Sequence, residues 1–172
     1  MLDASPMFGL YRNFPVYVHG AKRFALTVSR KRLQQAVIQV LHRLNGEHLS
    51  LDSIANPSIP ECTVILEFGI AEGETFNYLD KDETQKALEM LRRTPLEVID
   101  FFCAVRYYKR GENRTRPLKF DYYMLRLVFS ANIVEVQVFH ERGPRHISPE
   151  DLINLVVDKV NELFPRKALR TV

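Results

Sequence analysis

Between residues 96 and 140 the chain contains three long runs of β-branched and aromatic residues. The runs cover residues 96–108, 120–129 and 133–140, and these residue types favour the pleated surface of a β-sheet. Only Ser130, Ala131 and Asn132 separate the last two runs, and so short a loop joins neighbouring antiparallel strands. The feature that most constrains the fold is therefore an antiparallel three-stranded meander.

Successive side chains of a strand point to opposite faces, so each run divides into two sets. The first set is predicted to face the core: Ile99, Phe101, Cys103, Val105, Tyr123, Leu125, Leu127, Phe129, Val134, Val136 and Val138. The second set mixes aromatic and charged side chains: Asp100, Phe102, Arg106, Tyr108, Phe120, Tyr122, Met124, Arg126, Glu135, Gln137 and Phe139. A two-residue loop at Ala131-Asn132 predicts the pairs Leu127–Val136 and Arg126–Gln137, because a slip by one residue would expose the valines.

Three other segments have the apolar spacing of amphipathic helices, and each is flanked by capping or breaking residues. Helix starts are predicted from side chains that accept hydrogen bonds from free backbone N–H groups, and helix ends from Asn-Gly or proline. The predicted limits are Ser29 to Gly46, Asp80 or Asp82 to Pro95, and Ser148 to Pro165.

The remaining segments complete a predicted β-β-α-β-α-β-β-β-α order. Residues 16–18 and 24–28 are predicted to form a hairpin, and residues 62–70 a further strand. This order indicates one α+β domain over residues 1–172, with a largely antiparallel sheet and the helices packed on one face. Residues 1–14 are predicted to form an irregular N-terminal arm, and residues 165–172 a frayed basic tail.

Composition narrows the class of protein. In 172 residues no run approaches the ~20 apolar residues of a membrane span, and the start lacks the basic and apolar blocks of a signal peptide. Both cysteines, Cys62 and Cys103, fall in predicted strands, as buried thiols in a reducing compartment do. A cytoplasmic protein that makes no membrane contact is expected.

Charge is segregated along the chain although the net charge is only +3. Residues 1–44 carry seven Lys or Arg against one acid, residues 45–100 four against twelve, and residues 101–119 six against one. Opposite local charges of this kind favour charged partners if the fold keeps them apart.

The densest positive segment, residues 109–119, joins two predicted strands and adjoins aromatic residues. Such a basic ribbon beside an aromatic and arginine-rich sheet face is typical of surfaces that bind phosphates and stack bases, which predicts nucleic-acid binding, RNA in particular. The predicted contacts are Arg30, Lys31, Arg32, Phe102, Arg106, Lys109, Arg110, Arg114, Arg116, Lys119, Tyr122 and Arg126. Arg30, Lys31 and Arg32 are included because they crowd a helix start that an anion would stabilise; as exposed, solvated side chains they need no ligand.

Two alternatives use the same sheet face. In one, the face is the core of an interface with a protein partner or a second copy of the chain, because Tyr, Phe, Met and Arg are enriched in interfaces. In the other, the face lies under the N-terminal segment and its arginines are paired with Asp100 and Glu135.

A second cluster lies between the last predicted strand and helix. His140, Arg142, Arg145 and His146 form a candidate anion-binding site. A weaker hypothesis is an acid–base enzyme centred on His140, Glu141, Arg145 and His146. Gly143-Pro144 excludes the helical zinc-peptidase motif, and a third metal ligand is missing. An exposed turn also accounts for the cluster. No catalytic, metal-binding or cofactor motif is recognised, so no catalytic residue, metal or cofactor is predicted.

Overall fold

The computed structural model describes residues 7–54, 62–109 and 119–172. Eight strands and three α-helices are present in these residues, so the predicted α+β class is confirmed. In chain order they are β1 (Gly20–Leu26), α1 (Arg30–Leu44), β2 (His48–Ser50), β3 (Cys62–Glu72), β4 (Thr75–Tyr78), α2 (Lys81–Arg93), β5 (Val98–Lys109), β6 (Lys119–Ser130), β7 (Ile133–Arg142), α3 (Pro149–Asn161) and β8 (Leu169–Thr171). A short 3-10 helix, Leu51–Ser53, follows β2.

The strands form a single antiparallel sheet in the order β2-β3-β5-β6-β7-β1-β8, and β4 pairs with the end of β3. The predicted meander is its centre. Leu127 pairs with Val136 and Arg126 with Gln137, which confirms the predicted register. Ala131 adopts a positive φ of 51°, as a tight turn between twisted strands requires.

All three helices lie on the apolar side of the sheet. α3 packs against β7 and β1, while α1 packs against β3 and between the other two helices. Together with the predicted inward set of the meander, they enclose one core in which Phe101, Leu125 and Val138 are fully buried. In the residues that the structure describes, none of the helices is long and apolar enough to cross a membrane.

The helix caps follow the predictions. Ser29, Asp80 and Ser148 each accept a hydrogen bond from a backbone N–H in the first turn of α1, α2 and α3. Gly46, with φ of 74°, follows the C-cap of α1 in a conformation that residues with a Cβ rarely adopt.

Two predictions at the ends of the chain are wrong. Residues 16–18 form no strand, and β1 pairs instead with β7, where Phe24 lies opposite Val134. The prediction missed this partner because it lies more than a hundred residues away in sequence. The tail does not fray throughout: residues 169–171 form β8 against β1. The Asn161 side chain holds this tail, since it donates to Leu169 O (3.1 Å) and accepts from Leu169 N (2.9 Å).

Residues 7–19, the N-terminal segment, form no strand: Gly9 lies hydrogen-bonded between β3 and β5 with Phe8 buried in the core, and the segment then crosses the other face of the sheet. Phe8 bridges to Glu72 beside β4, and at the far end His19 N donates to Val138 O of β7 (2.9 Å). Residues 7–14 of the predicted irregular arm are docked on the sheet, and residues 1–6 lie outside the described residues. The sheet face that carries the predicted binding residues is therefore partly covered.

Candidate functional site

The N-terminal segment is fixed to the sheet by backbone hydrogen bonds. Gly9 N donates to Ala71 O (2.8 Å), and Asp100 N donates to Gly9 O (2.6 Å). Tyr11 N donates to the Asp100 carboxylate (2.7 Å). Gly9 has φ of 81°, and a Cβ there would lie 2.7 Å from Leu96 Cδ1. The segment thus follows the sheet surface closely, which requires a glycine at this position.

Arg126, predicted to contact nucleic acid, lies under this segment. Its Nε and Nη2 donate to the two carboxylate oxygens of Asp100 at 2.7 and 2.9 Å, and Asp100 is fully buried. The Phe14 ring centroid is 4.2 Å from the guanidinium carbon of Arg126, a cation–π contact. Arg126 is therefore neutralised and covered by the protein's own chain.

Arg106 is also neutralised, because its guanidinium forms a salt bridge with Glu67 on β3. Glu135 instead accepts hydrogen bonds from Arg23 (2.9 Å) and Gln137 (2.6 Å). These hydrogen bonds lower the pKa of its carboxyl group, and the one from Gln137 has the largest effect. The alternative in which the arginines are paired is thus correct for Arg126 with Asp100. Arg106 is also paired with an acid, but this acid is Glu67 and not Asp100 or Glu135.

The part of this face that stays open carries a row of aromatic rings. Five rings follow one another across the N-terminal segment, β4, β5 and β6, with centroid separations of 4.6, 5.4, 5.8 and 6.1 Å. We call this set the aromatic row: Tyr11, Phe76, Phe102, Tyr122 and Phe120. Phe120 is 39% exposed, and the others are partly exposed. The Arg142 guanidinium lies 4.6 Å from the centroid of the Tyr122 ring.

The aromatic row ends next to Lys119, the last residue of the cation-rich segment 109–119. Lys119 directly precedes Phe120 and pairs with Tyr107, next to the end of β5 at Lys109. Lys119 is exposed. The predicted contacts Arg110, Arg114 and Arg116 lie outside the described residues. Partly exposed rings beside cations can stack nucleobases and neutralise phosphates, or form the centre of a protein interface.

The cations at the start of α1 lie elsewhere. Arg30 donates to Ala131 O (3.3 Å) in the β6–β7 turn, and Arg32 lies 5.4 Å from the Phe164 ring centroid. β6 runs from Lys119 at one end to this turn at the other, roughly 35–40 Å away for twelve residues. Arg30 therefore lies at the opposite end of β6 from Lys119.

A second cluster, missed by the sequence predictions, centres on the fully buried Asp121 of β6. We call it the Asp121 cluster. Its carboxylate accepts four hydrogen bonds, which come from Tyr107 Oη (2.5 Å), His140 Nε2 (2.8 Å), Arg145 N (2.6 Å) and His146 N (3.0 Å). Four donors on one buried carboxylate join β5, β6, β7 and the loop before α3.

The predicted anion site is organised around this carboxylate. His140 and the backbone at Arg145 and His146 point towards Asp121, whereas Arg142 stacks on Tyr122 of the aromatic row. A Cβ at Gly143 (φ 115°) would lie 2.3 Å from Phe120 O, so only glycine permits this loop to approach β6. The residues already hold an anion, the Asp121 side chain, and no group of three metal-ligating side chains is found in the described part of the chain.

Burial shifts the pKa of three groups near Asp121: Tyr107, Tyr123 and Cys103. It raises the pKa of Tyr107 and of Tyr123 far above their ordinary values, and the negative charge of Asp121 adds to both shifts. It also raises the pKa of Cys103, next to Asp121, so this thiol stays protonated and is a poor nucleophile. The arrangement is that of a structural hydrogen-bond cluster.

The alternation of strand side chains contains the signal that would have found Asp121. The inward set of β6 begins at Tyr123, and extending it by one step reaches Asp121. The same step reaches Tyr107 on β5 and His140 on β7. Three polar side chains at the same end of the inward face predict a buried polar cluster.

His19 supplies a pH-dependent contact near this cluster. Its Nδ1 accepts a hydrogen bond from His140 N (2.9 Å), and its ring stacks on Phe139 with centroids 4.7 Å apart. Desolvation, with smaller effects of Arg145 and His140, lowers the pKa of His19 below its ordinary value of 6.5. A lowered pKa means that the folded state favours the neutral ring, so this contribution to stability is present above pH ~6.5 and is lost as the pH falls through the folded pKa.

We expect the stability difference between the wild type and His19→Asn to shrink as the pH is lowered from about 7.5 to about 5. Asn keeps an acceptor near Nδ1 but does not titrate, and the other histidines, present in both proteins, cancel in the difference. Urea denaturation at each pH measures the effect, which is small because His19 is largely exposed. A difference independent of pH would show that His19 protonation does not oppose folding.

Comparison of the chain with protein-family models, with curated proteins and with solved structures found no match.

Proposed function

We propose that the protein is a non-enzymatic binding module for single-stranded nucleic acid, RNA in particular, and that the aromatic row is the surface on which bases stack. The observation that carries the proposal is the position of these rings: they are partly exposed, adjacent to one another, and end next to Lys119. Sheet surfaces with exposed aromatic side chains bind splayed, unstacked bases, which are available in single strands and not in a duplex.

The charges near the aromatic row agree with base stacking there if the paired Arg106 and Arg126 are not counted as phosphate contacts. Arg106 and Arg126 are neutralised internally, so we assign them to shaping the surface rather than to phosphate contacts. Segment 109–119 contributes five cations against one acid, and Arg142 stacks on Tyr122. The proposed phosphate contacts are Lys109, Arg110, Arg114, Arg116, Lys119 and Arg142.

We also propose that the protein is cytoplasmic. Both cysteines, Cys62 and Cys103, are buried free thiols. Free thiols that never reach the surface are ordinary in the reducing cytoplasm.

The double variant Phe102→Ala, Tyr122→Ala is expected to weaken binding of a labelled oligouridylate at least tenfold. Stacking of a base on an aromatic side chain contributes about 1–3 kcal/mol, and two adjacent rings of the aromatic row are removed. Fluorescence anisotropy measures the affinity. Phe139→Ala is the matched control, because Phe139 lies on the same sheet face but outside the aromatic row, stacked against His19. Equal affinities for the double variant and the wild type would reject the aromatic row as a base-stacking surface.

Charge is tested separately with the triple variant Arg110→Ser, Arg114→Ser, Arg116→Ser. We expect the salt dependence of binding, measured between about 50 and 200 mM, to become shallower by about 2 in log–log slope, since each phosphate contact on a single strand contributes about 0.7. An unchanged slope would remove segment 109–119 from the site.

A protein interface is the second candidate, and two exposed apolar residues favour it. Val16 and Tyr17 of the N-terminal segment are 104% and 73% exposed. The neutral Arg106–Glu67 pair also suits a protein partner better than a phosphate backbone. In that case the wild type shows a concentration-dependent mass in sedimentation, the double variant Phe102→Ala, Tyr122→Ala does not, and neither binds oligouridylate.

A further inference from the structure

On the side of the molecule away from the aromatic row, a groove of about 350 Å³ lies between α3 and the sheet edge formed by β1 and β8. Its floor is apolar, with Phe24 of β1, Val157 of α3 and Leu169 of β8. Its far wall is polar, because Asn154 and Asp158 project from α3 and are exposed. Lys22 Nζ lies 3.4 Å from Asn154 Oδ1, so these two side chains bridge β1 and α3.

The edge of β1 beside this groove offers backbone hydrogen bonds. β8 pairs only with Phe24–Leu26, so residues 20–23 have β7 on one side and no strand among the described residues on the other. Leu26 N donates towards β7, at Asn132 O, and Thr27 N towards β8, at Ala168 O. Alternation along the strand therefore directs the N–H and C=O groups of Ala21 and Arg23 outwards, to the open edge.

The outer edge of β8 is already occupied at Leu169. Asn161 occupies the outward N–H and C=O of Leu169 with its side chain, as an added strand would. Asn161 thus closes the outer edge of β8, and pairing is left to residues 20–23 of β1, beyond the end of β8. An added strand would lie there, with alternate side chains directed into the groove.

The charge of the groove selects the partner. Three cations line it, Lys22, Lys167 and Arg170, against the single acid Asp158. Within the described residues none of the three cations forms a salt bridge. Cations that are unpaired, rim an apolar floor and adjoin an open strand edge complement an extended peptide that alternates apolar and acidic residues.

We propose that this edge groove binds an extended acidic peptide segment of a partner protein, which adds a strand beside residues 20–23 of β1. Backbone hydrogen bonds to Ala21 and Arg23 hold the segment, its apolar side chains lie over the apolar floor of the groove, and the cations that line the groove attract its carboxylates. The proposal is independent of nucleic-acid binding, because the groove and the aromatic row lie on opposite sides of the sheet.

The probe is a fluorescent peptide of about eight alternating glutamate and valine residues, long enough to span the edge at roughly 3.4 Å per residue. The wild type is expected to bind it at least tenfold more tightly than the matched lysine–valine peptide. Ala21→Pro removes one outward N–H without touching the β7 ladder and should weaken binding tenfold or more. Lys167→Glu with Arg170→Glu should do the same, while Lys81→Glu, an exposed cation on α2, should not.

A second measurement avoids any dependence on the folding of the proline variant. The same peptide, N-methylated at alternate residues, keeps its charge but cannot donate ladder hydrogen bonds, and we expect it to bind at least tenfold more weakly. Equal binding of the acidic and basic peptides, or of the methylated and plain peptides, would overturn the proposal. So would displacement of the peptide by oligouridylate that depends on Lys167 and Arg170 but not on Ala21, because the groove would then be a phosphate site.

Discussion

Replacing Asp121 by alanine is expected to lower the free energy of unfolding by about 3–5 kcal/mol. The substitution leaves four donors without their acceptor: the buried Tyr107 Oη and, partly buried, His140 Nε2 and the backbone N–H groups of Arg145 and His146. Each buried donor that loses its partner costs about 1–3 kcal/mol, and relaxation of the loop before α3 recovers part of the sum. Urea denaturation followed by circular dichroism measures the loss.

Two further variants separate the charge of Asp121 from its shape. Asp121→Asn keeps the volume and one acceptor oxygen but turns an NH₂ group towards donors, so we expect a loss close to that of alanine. Asp158→Ala removes an exposed acid from α3 and should stay within about 0.5 kcal/mol of the wild type. A loss below about 1 kcal/mol for Asp121→Ala would mean that water satisfies the four donors, and that the Asp121 cluster does not fasten β5, β6 and β7 to the loop.

The meander could be read from the sequence because its information is local. The short turn at Ala131-Asn132 and the alternation of valines fix both pairing and register within some fifteen residues. Helix caps such as Ser29 and Ser148 are local for the same reason. β1 was assigned the wrong partner because its pairing with β7 joins segments more than a hundred residues apart, and no spacing rule reports such a contact.

The candidate site was predictable only in part, for a related reason. Alternation showed which residues lie on the second face of the sheet, but not whether their side chains are free to contact a ligand. Whether Arg126 is open or paired depends on where residues 7–19 lie, and those residues have no periodicity that would place them. For Asp121 the alternation was sufficient, because it places this residue on the inward face. The residue was left out of the predicted core only because its side chain is polar.

Replacing Asp100 by alanine is expected to lower the free energy of unfolding by about 2–4 kcal/mol and to release residues 7–14 from the sheet. Asp100 is fully buried and joins two partners, the Arg126 guanidinium and Tyr11 N. Without the carboxylate, Arg126 keeps a positive charge under an aromatic ring, and the segment loses a fastening on the face of the sheet. The cost is below that of Asp121→Ala because the side chain of Arg126, 24% exposed, can reach water.

Release of the segment has its own readout, separate from global stability. Trypsin cleaves after Arg12, an exposed residue in the middle of the segment, once the backbone around it leaves the sheet. We expect Asp100→Ala to be cut there at least tenfold faster than the wild type under native conditions. Glu67→Gln is the matched control, because it frees Arg106 on the same face without touching residues 7–14. Equal cleavage rates for the wild type and Asp100→Ala would show that Asp100 does not hold the segment in place.

The same pair of variants bears on the proposed function. Asp100→Ala returns an unpaired Arg126 to the face that carries the aromatic row, and Glu67→Gln does so for Arg106. If single-stranded nucleic acid lies on this face, each variant adds a cation within its path and the salt dependence should steepen by about 0.7. The affinity for oligouridylate should rise for Glu67→Gln, in which the aromatic row stays intact, whereas Asp100→Ala also releases Tyr11 from the row. If a protein partner occupies the face instead, an unpaired arginine must be desolvated in the interface, and association should weaken. The direction of the change therefore separates the two candidate functions, even where both variants remain folded.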